Sequence, residues 1–493
     1  MPARYIHNAH FYIDGSFANQ VRGLLVENGK IARLLQTGDG IDPAWEKTDL
    51  QGSWAYPGFI DAHTHSFSGG LYEDGVDLAG CASIEEVLSL LSAAARQQRE
   101  LLIGWRFDEG RIREKRFPSV KELDSVCPDA RLLLRRVDGH SCVLNSLARE
   151  AIPGLGGRDE VLIAQDNDLA VNWLQDNCSE ETILAAYHSA ARTALRGGFT
   201  AIHTMIGDAQ MSVQHYQLIR DRRAEFPVRF ELYPQSFDVD AALELGAKRI
   251  GGCILADGSI GSRTAALDKP YADSATKGRL YQSDGFWADF VSRAHQNGLQ
   301  VCVHCIGDAA IRQLNRAYAL HPSSEVRELR HQLIHCEVTP DGLISGIAAS
   351  GAVPVMQPAF DLLWGGDSGL YAQRLGERWQ SMNRFRTLAR KGIRVCGSSD
   401  WYVTDLNIAM SLHALIHHHN PDERLTPAEA IKVYTENNAW LNHEENLRGR
   451  IAEGMQADLS AMDTDFTRPF DWRACRSNFI IRAGELVYAS DKA

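Results

Sequence analysis

Short apolar runs recur along this chain, and what separates them changes twice. Over the first 56 residues the runs alternate with turns: "YIHNAHFYIDGSF", "GLLVENGKIARLL", "GSWAYPGF". Period-two alternation bounded by Gly, Asn and Asp predicts short strands and hairpins. The C-terminal stretch repeats the pattern in "ADLSAMDTDF" and "NFIIRAGELVYAS". Two β-rich ends around a different middle predict one small composite β-sandwich domain, residues 1–56 with 446–493. The middle, 57–445, interleaves eight short apolar runs with helical stretches: "YPGFIDAH", "GGFTAIHTM", "PVRFELYPQ", "IGGCILADG", "LQVCVHCIGD", "HQLIHCEV", "GAVPVMQP" and "GIRVCGSSD". That alternation predicts an α/β fold of the (β/α)8 TIM-barrel class. The gap between the first two strands is too long for one connection. It predicts an inserted subdomain at about 67–195, over the C-terminal face where barrel active sites lie.

Composition narrows the function. The 493 residues carry a net charge of −12 with 23% charged and 44% hydrophobic residues, ordinary for a globular chain. No Lys/Arg block is present, so nucleic acid and anionic membrane are poor partners. No apolar run approaches the length of a membrane span. The N-terminus lacks a cationic start followed by an apolar core, which argues against a secretory signal. Ten cysteines are scattered through a long chain, which predicts reduced thiols and a cytoplasmic setting. The expected partner is a small-molecule substrate; a homodimer stays open.

Candidate chemistry sits at the strand ends. In "PGFIDAHTHS", His63 and His65 are two apart, so on a strand both rings share one face. His304 ends the fifth predicted strand, His335 the sixth and Asp400 the eighth. Neutral imidazoles with a carboxylate suit a divalent ion, Zn²⁺ foremost, one or two per chain. A metal also removes the desolvation penalty of burying those groups unpaired.

Other motifs read structurally. "TPAEAIKVY" is a capping box with Thr426, Pro427 and Glu429. "HALIHHHN" (413–420) predicts a surface or capping role on the helix after the last strand. "CVHC" predicts packing, because Cys302 shares a strand face with His304 and Cys305 does not.

The chain resembles the amidohydrolase superfamily, family 3, the group that includes N-substituted formamide deformylases. The resemblance runs nearly end to end through "PGFIDAHTHS", "DGHSCVLNS", "ADGSIGSRTAALDKPY", "VHCIGDAAI", "MQPAFD", "GSSDWYVTDLN", "LTPAEAIKVYTENNA" and "GMQADLSAMD". It implies hydrolysis of a C–N bond in an amide or formamide. It implies a first metal on His63, His65 and Asp400, with Asp400 also accepting the proton of water and passing it to the leaving group. A second metal would lie on His304 and His335; in a one-metal site His304 joins the first and His335 orients water or substrate.

One position departs from the family. Where two-metal members carry a carbamylated lysine, this chain has Cys253, in "GGCILADGS". Its thiolate is either a bridge between two ions or a small apolar filler. Arg263, in a Gly/Ser-rich loop after the fourth strand, is a candidate clamp for an anionic or polar substrate group. Asp138, His140, Asp308, Gln357, Trp364 and Trp401 are candidate site or pocket residues; for Asp308 a helix cap is the plainer reading, and for the tryptophans core packing is. Two other functions compete. A mononuclear deaminase or cyclic-imine hydrolase would carry a glutamate soon after His304, and "HCIGDAA" has none. A regulatory binding protein would have no physical reason to keep all five His/Asp positions.

Overall fold

The computed structural model describes residues 3–491 apart from 98, 138, 140, 158–159 and 208–212. The chain forms two compact units, Met1–His65 with Thr193–Ala493, and Ser66–Arg192.

In the larger unit, all eight apolar runs of the middle segment are strands: β1 (Phe59–Thr64), β2 (Phe199–Ile206), β3 (Arg229–Pro234), β4 (Arg249–Leu255), β5 (Gln300–Cys305), β6 (Gln332–His335), β7 (Val353–Met356) and β8 (Cys396–Gly397). They pair in parallel, β1–β2–β3 in one sheet and β4 to β8 in another. The fold is therefore mixed α/β. Near-complete burial of these strands explains why they read as continuous apolar runs. Helices follow on the chain, among them α1 (Asp308–Tyr318), α2 (Pro358–Trp364), α3 (Ile408–Ile416), α4 (Pro427–Tyr434) and α5 (Glu436–Leu441). The capping box at Thr426 and Glu429 opens α4, as expected.

The two sheets meet at a seam beside β1. Asp400 N–H donates to the His63 carbonyl at 3.0 Å, and His65 N–H donates to the Trp401 carbonyl at 2.6 Å. Buried side chains reinforce it. Asp61 accepts from His63 N–H (3.0 Å) and from Ser399 N–H (2.9 Å). From α5, Asn438 Nδ2 donates to the Ile60 carbonyl (2.6 Å) and the Gly397 carbonyl (2.8 Å).

Both termini enter one eight-stranded sheet, where Leu459 pairs with Pro57 and Ala461 with Ala55. Ile6, Phe11, Leu24, Leu50, Leu459 and Ile481 share its core. The smaller unit holds its own five-stranded sheet and a separate core of Leu78, Val87, Leu91, Phe107, Leu132 and Val143.

Beneath β5 and β6, three side chains form a relay of fixed direction. His331 Nδ1 accepts from Val301 N–H (3.0 Å), so its Nε2–H donates to His295 Nδ1 (2.9 Å). His295 Nε2–H then donates to Glu325 (3.0 Å). Burial, followed by the neighbouring His295 and His321, pushes His331 down to about 3. A histidine depressed in the folded state stabilises fully above its unfolded value near 6.5, and that stability is lost as pH falls from there toward the folded value.

Two outcomes follow for stability. Asn438→Ala orphans two buried carbonyls at the seam and should cost about 2–4 kcal/mol, read as a lower midpoint in denaturant unfolding. Wild-type stability should fall between about pH 6.5 and pH 3, at up to about 1.4 kcal/mol per pH unit from His331. In His331→Asn that slope should be shallower; an unchanged slope contradicts the assignment.

Candidate metal centre

His63 and His65 leave the C-terminal end of β1 on one face, as the period of two requires. The seam bonds place Asp400 against both. His63 Nε2 and His65 Nε2 each lie 3.3 Å from Asp400 Oδ1. His63 is fully buried and Asp400 is 5% exposed. His335 and His304 extend the cluster, with ring centroids 5.6 Å from His63 to His335 and 4.4 Å from His335 to His304. Asp400 (φ +57°) and His335 (φ +69°) both sit in left-handed backbone, a strained geometry found where side chains are aimed for function.

Two groups of donor atoms lie within 4.8 Å of one another: His63, His65 and Asp400; and His63, Cys253 and His335. Both ring nitrogens of His63 and Oδ1 of Asp400 are buried with no well-aligned hydrogen bond. Leaving such groups unpaired is costly, and two imidazole nitrogens with a carboxylate oxygen suit a divalent ion. The residues present fit a metal.

Electrostatics agree. Burial pushes His63 down, His304 down to about 4 and His335 well below the imidazole range, so their lone pairs are free at neutral pH. Burial by itself would raise Asp400, but the two imidazoles at 3.3 Å and nearby His335 outweigh it and hold the carboxylate well below its usual range.

Neighbouring groups fix the rings. His335 Nδ1–H donates to Gln357 Oε1 at 2.8 Å, and Gln357 Nε2 donates to Ser398 Oγ at 3.0 Å. His304 Nε2–H donates to the Gly258 carbonyl at 3.2 Å. Each ring thereby presents its other nitrogen as a lone pair, the arrangement metal-binding histidines use.

The remaining candidates have other surroundings. Arg263 gives Nε and Nη2 to Asp273 (3.0 and 2.7 Å), which Arg374 also holds (2.5 Å). Asp308 opens α1 behind Gly307 and accepts Asp268 N–H at 3.0 Å, bracing the loop after β4. Trp364 is half-buried, its ring 4.7 Å from Phe360, which stacks at 6.0 Å on His335. Trp401 is buried at the seam. Asp138 and His140 lie outside the described residues. In the 413–420 run, His417 is exposed as expected, but His418 is buried with Nε2 3.3 Å from Asp361. Cys302 and Cys305 are buried free thiols.

Sequence reasoning passed over two carboxyls. Asp257 accepts N–H from Ile306, Gly307 and Ala266 at 2.7–3.0 Å and lies 3.7 Å from His304. Burial raises it to about 7 against those three bonds. Glu337, raised to about 8 by burial, accepts the Tyr371 hydroxyl at 2.6 Å. Their signals were the motif positions "ADGS" and "HCE".

Residues 46–476 match the sequence profile of the amidohydrolase family. The chain belongs to that family. It is 29% identical over 472 residues to the putative amidohydrolase YtcJ of Bacillus subtilis, covering 86% of each chain. It is 25% identical to the N-substituted formamide deformylase of Arthrobacter pascens, covering 90% of each. Its fold superposes on a metal-dependent hydrolase of Pyrococcus furiosus with a TM-score of 0.80 at 22% identity, over 94% of this chain and 100% of that one. The protein is thus a hydrolase acting on C–N bonds.

Gln357→Leu frees the His335 ring without touching the donor set. It should weaken metal binding by about 10–100-fold in competition with a chelator, and leave the metal-free protein folded by circular dichroism.

Proposed function

We propose that this amidohydrolase cleaves the C–N bond of a small, uncharged amide or N-substituted formamide, with Asp400 carrying the proton. In this reading the eight parallel strands form one (β/α)8 barrel, the terminal sheet is its β-sandwich and residues 67–195 are an insertion. His63, His65 and Asp400 would hold one divalent ion, Zn²⁺ by donor type. His304 and His335 stand at a second position. Once bound, such an ion acidifies water and polarises a carbonyl.

The chain's own residues do the rest. Asp400, held ionised by its two imidazole neighbours, takes the proton from the attacking water and delivers it to the departing amine nitrogen. The water oxygen becomes part of the carboxylate or formate product, and the C–N bond breaks. His335, its Nδ1–H held by Gln357, presents its Nε2 lone pair and orients water by accepting an O–H.

Phe360 and Trp364 beside His335, with exposed Leu255, Leu363 and Val403 near the same strand ends, favour an apolar substituent. Arg263, expected as a substrate clamp, is held by Asp273, so no anionic substrate group is assigned. The absence of a glutamate in "HCIGDAA" favours amide hydrolysis over deamination. The observation that carries the reading is the convergence of two imidazoles on one buried carboxylate oxygen.

A panel of N-formyl and N-acyl amines of graded apolar size, assayed with Zn²⁺-loaded protein, tests it. Release of amine and acid should appear, and Asp400→Asn should lower kcat by about 10²–10⁴-fold. Full activity in that variant would remove Asp400 from the mechanism.

A further inference from the structure

We propose that Cys253 is a sulfur ligand lying between the two imidazole groups of the centre, which makes it a site for thiophilic ions such as Zn²⁺, Co²⁺ and Cd²⁺ rather than for Mg²⁺ or Mn²⁺. This deepens the hydrolase reading by naming the class of ion its site takes.

The backbone aims the thiol. β4 carries an irregularity between Ile250 and Ile254 in its pairing with β5. Gly251 (φ +99°) and Gly252 (φ +63°) build it, both in backbone that side chains rarely adopt. A Cβ on Gly251 would meet the Cys302 carbonyl at 2.2 Å, so only glycine fits there. Bulges of this kind re-aim the following side chain, which here is Cys253.

The sulfur then faces nitrogen on more than one side. Cys253 Sγ lies within 4.8 Å of the donor atoms of His63 and His335, and 3.9 Å from His304 Nδ1. His304 gives its Nε2–H to Gly258, and His335 gives its Nδ1–H to Gln357. Their remaining nitrogens are therefore acceptors. An apolar filler would leave the unpartnered nitrogens of His63 buried against it at a cost; a ligand sulfur gives the same space a common cation. Cysteine sulfur favours zinc and similar borderline or soft ions, whereas carboxylate and water suit magnesium and manganese. On binding, the S–H bond is replaced by a sulfur–metal bond and the proton leaves to buffer.

The test uses the full chain, stripped of metal by chelator and reloaded with Co²⁺, Zn²⁺ or Mn²⁺. Wild type with Co²⁺ should show near-ultraviolet sulfur-to-cobalt charge-transfer absorption. Cys253→Ala should lose that band and lose Zn²⁺ affinity by at least about 10-fold, the loss already expected for an outer neighbour of a ligand, with Mn²⁺ affinity little changed. Cys302→Ala, on the adjacent strand, should keep the band. Cobalt that binds without the band, or a band and Zn²⁺ preference that survive Cys253→Ala, would overturn the inference while leaving the hydrolase reading intact. A Cys253-dependent band in protein that cleaves none of the amides would instead remove the substrate reading and keep the sulfur ligand.

Discussion

The centre depends on two backbone hydrogen bonds: Asp400 N–H to the His63 carbonyl, and His65 N–H to the Trp401 carbonyl. They join residues from opposite ends of the chain and set one carboxylate oxygen 3.3 Å from two imidazoles. Asp61 and Asn438 lock the seam from inside, where an orphaned polar group is expensive. Stability and site geometry therefore share the same bonds.

Burial sets the charge states. It pushes His63, His304 and His335 toward the neutral form. The carboxylate is held ionised against burial by the imidazoles beside it. Neutral nitrogens next to an anionic oxygen are a donor set that suits a divalent cation. Gln357 and the Gly258 carbonyl complete the design by deciding which ring nitrogen of His335 and His304 is free. The apolar and aromatic surroundings of these rings, Phe360 above all, keep the local dielectric low, so each of these interactions counts for more than it would in water.

Departures from the expected pattern share a cause. Arg263 looked free to meet substrate, yet Asp273, ten residues on in the same loop, takes it. His418 sat in an apparently exposed run, yet Asp361 from α2 pairs with it in the interior. Asp257, which no sequence period singles out, collects three N–H donors from two loops. In each case the partner comes from a loop conformation or a distant element, and neither has a sequence period.

The sequence by itself determined the strands and singled out the histidines and the aspartate at their ends. Alternation and apolar runs located all eight parallel strands, because a doubly buried strand must be apolar throughout. The i, i+2 spacing put His63 and His65 on one face, because side chains alternate across a strand. The motifs carried the family. Only the tertiary structure decided which groups meet. It put His63 and His65 onto Asp400, selected the free nitrogen of each histidine, spent Arg263 on Asp273 and turned Cys253 toward the imidazoles through a two-glycine bulge. These depend on hydrogen-bond partners far apart in the chain and on backbone angles that one residue of shift would reverse, and local sequence encodes neither.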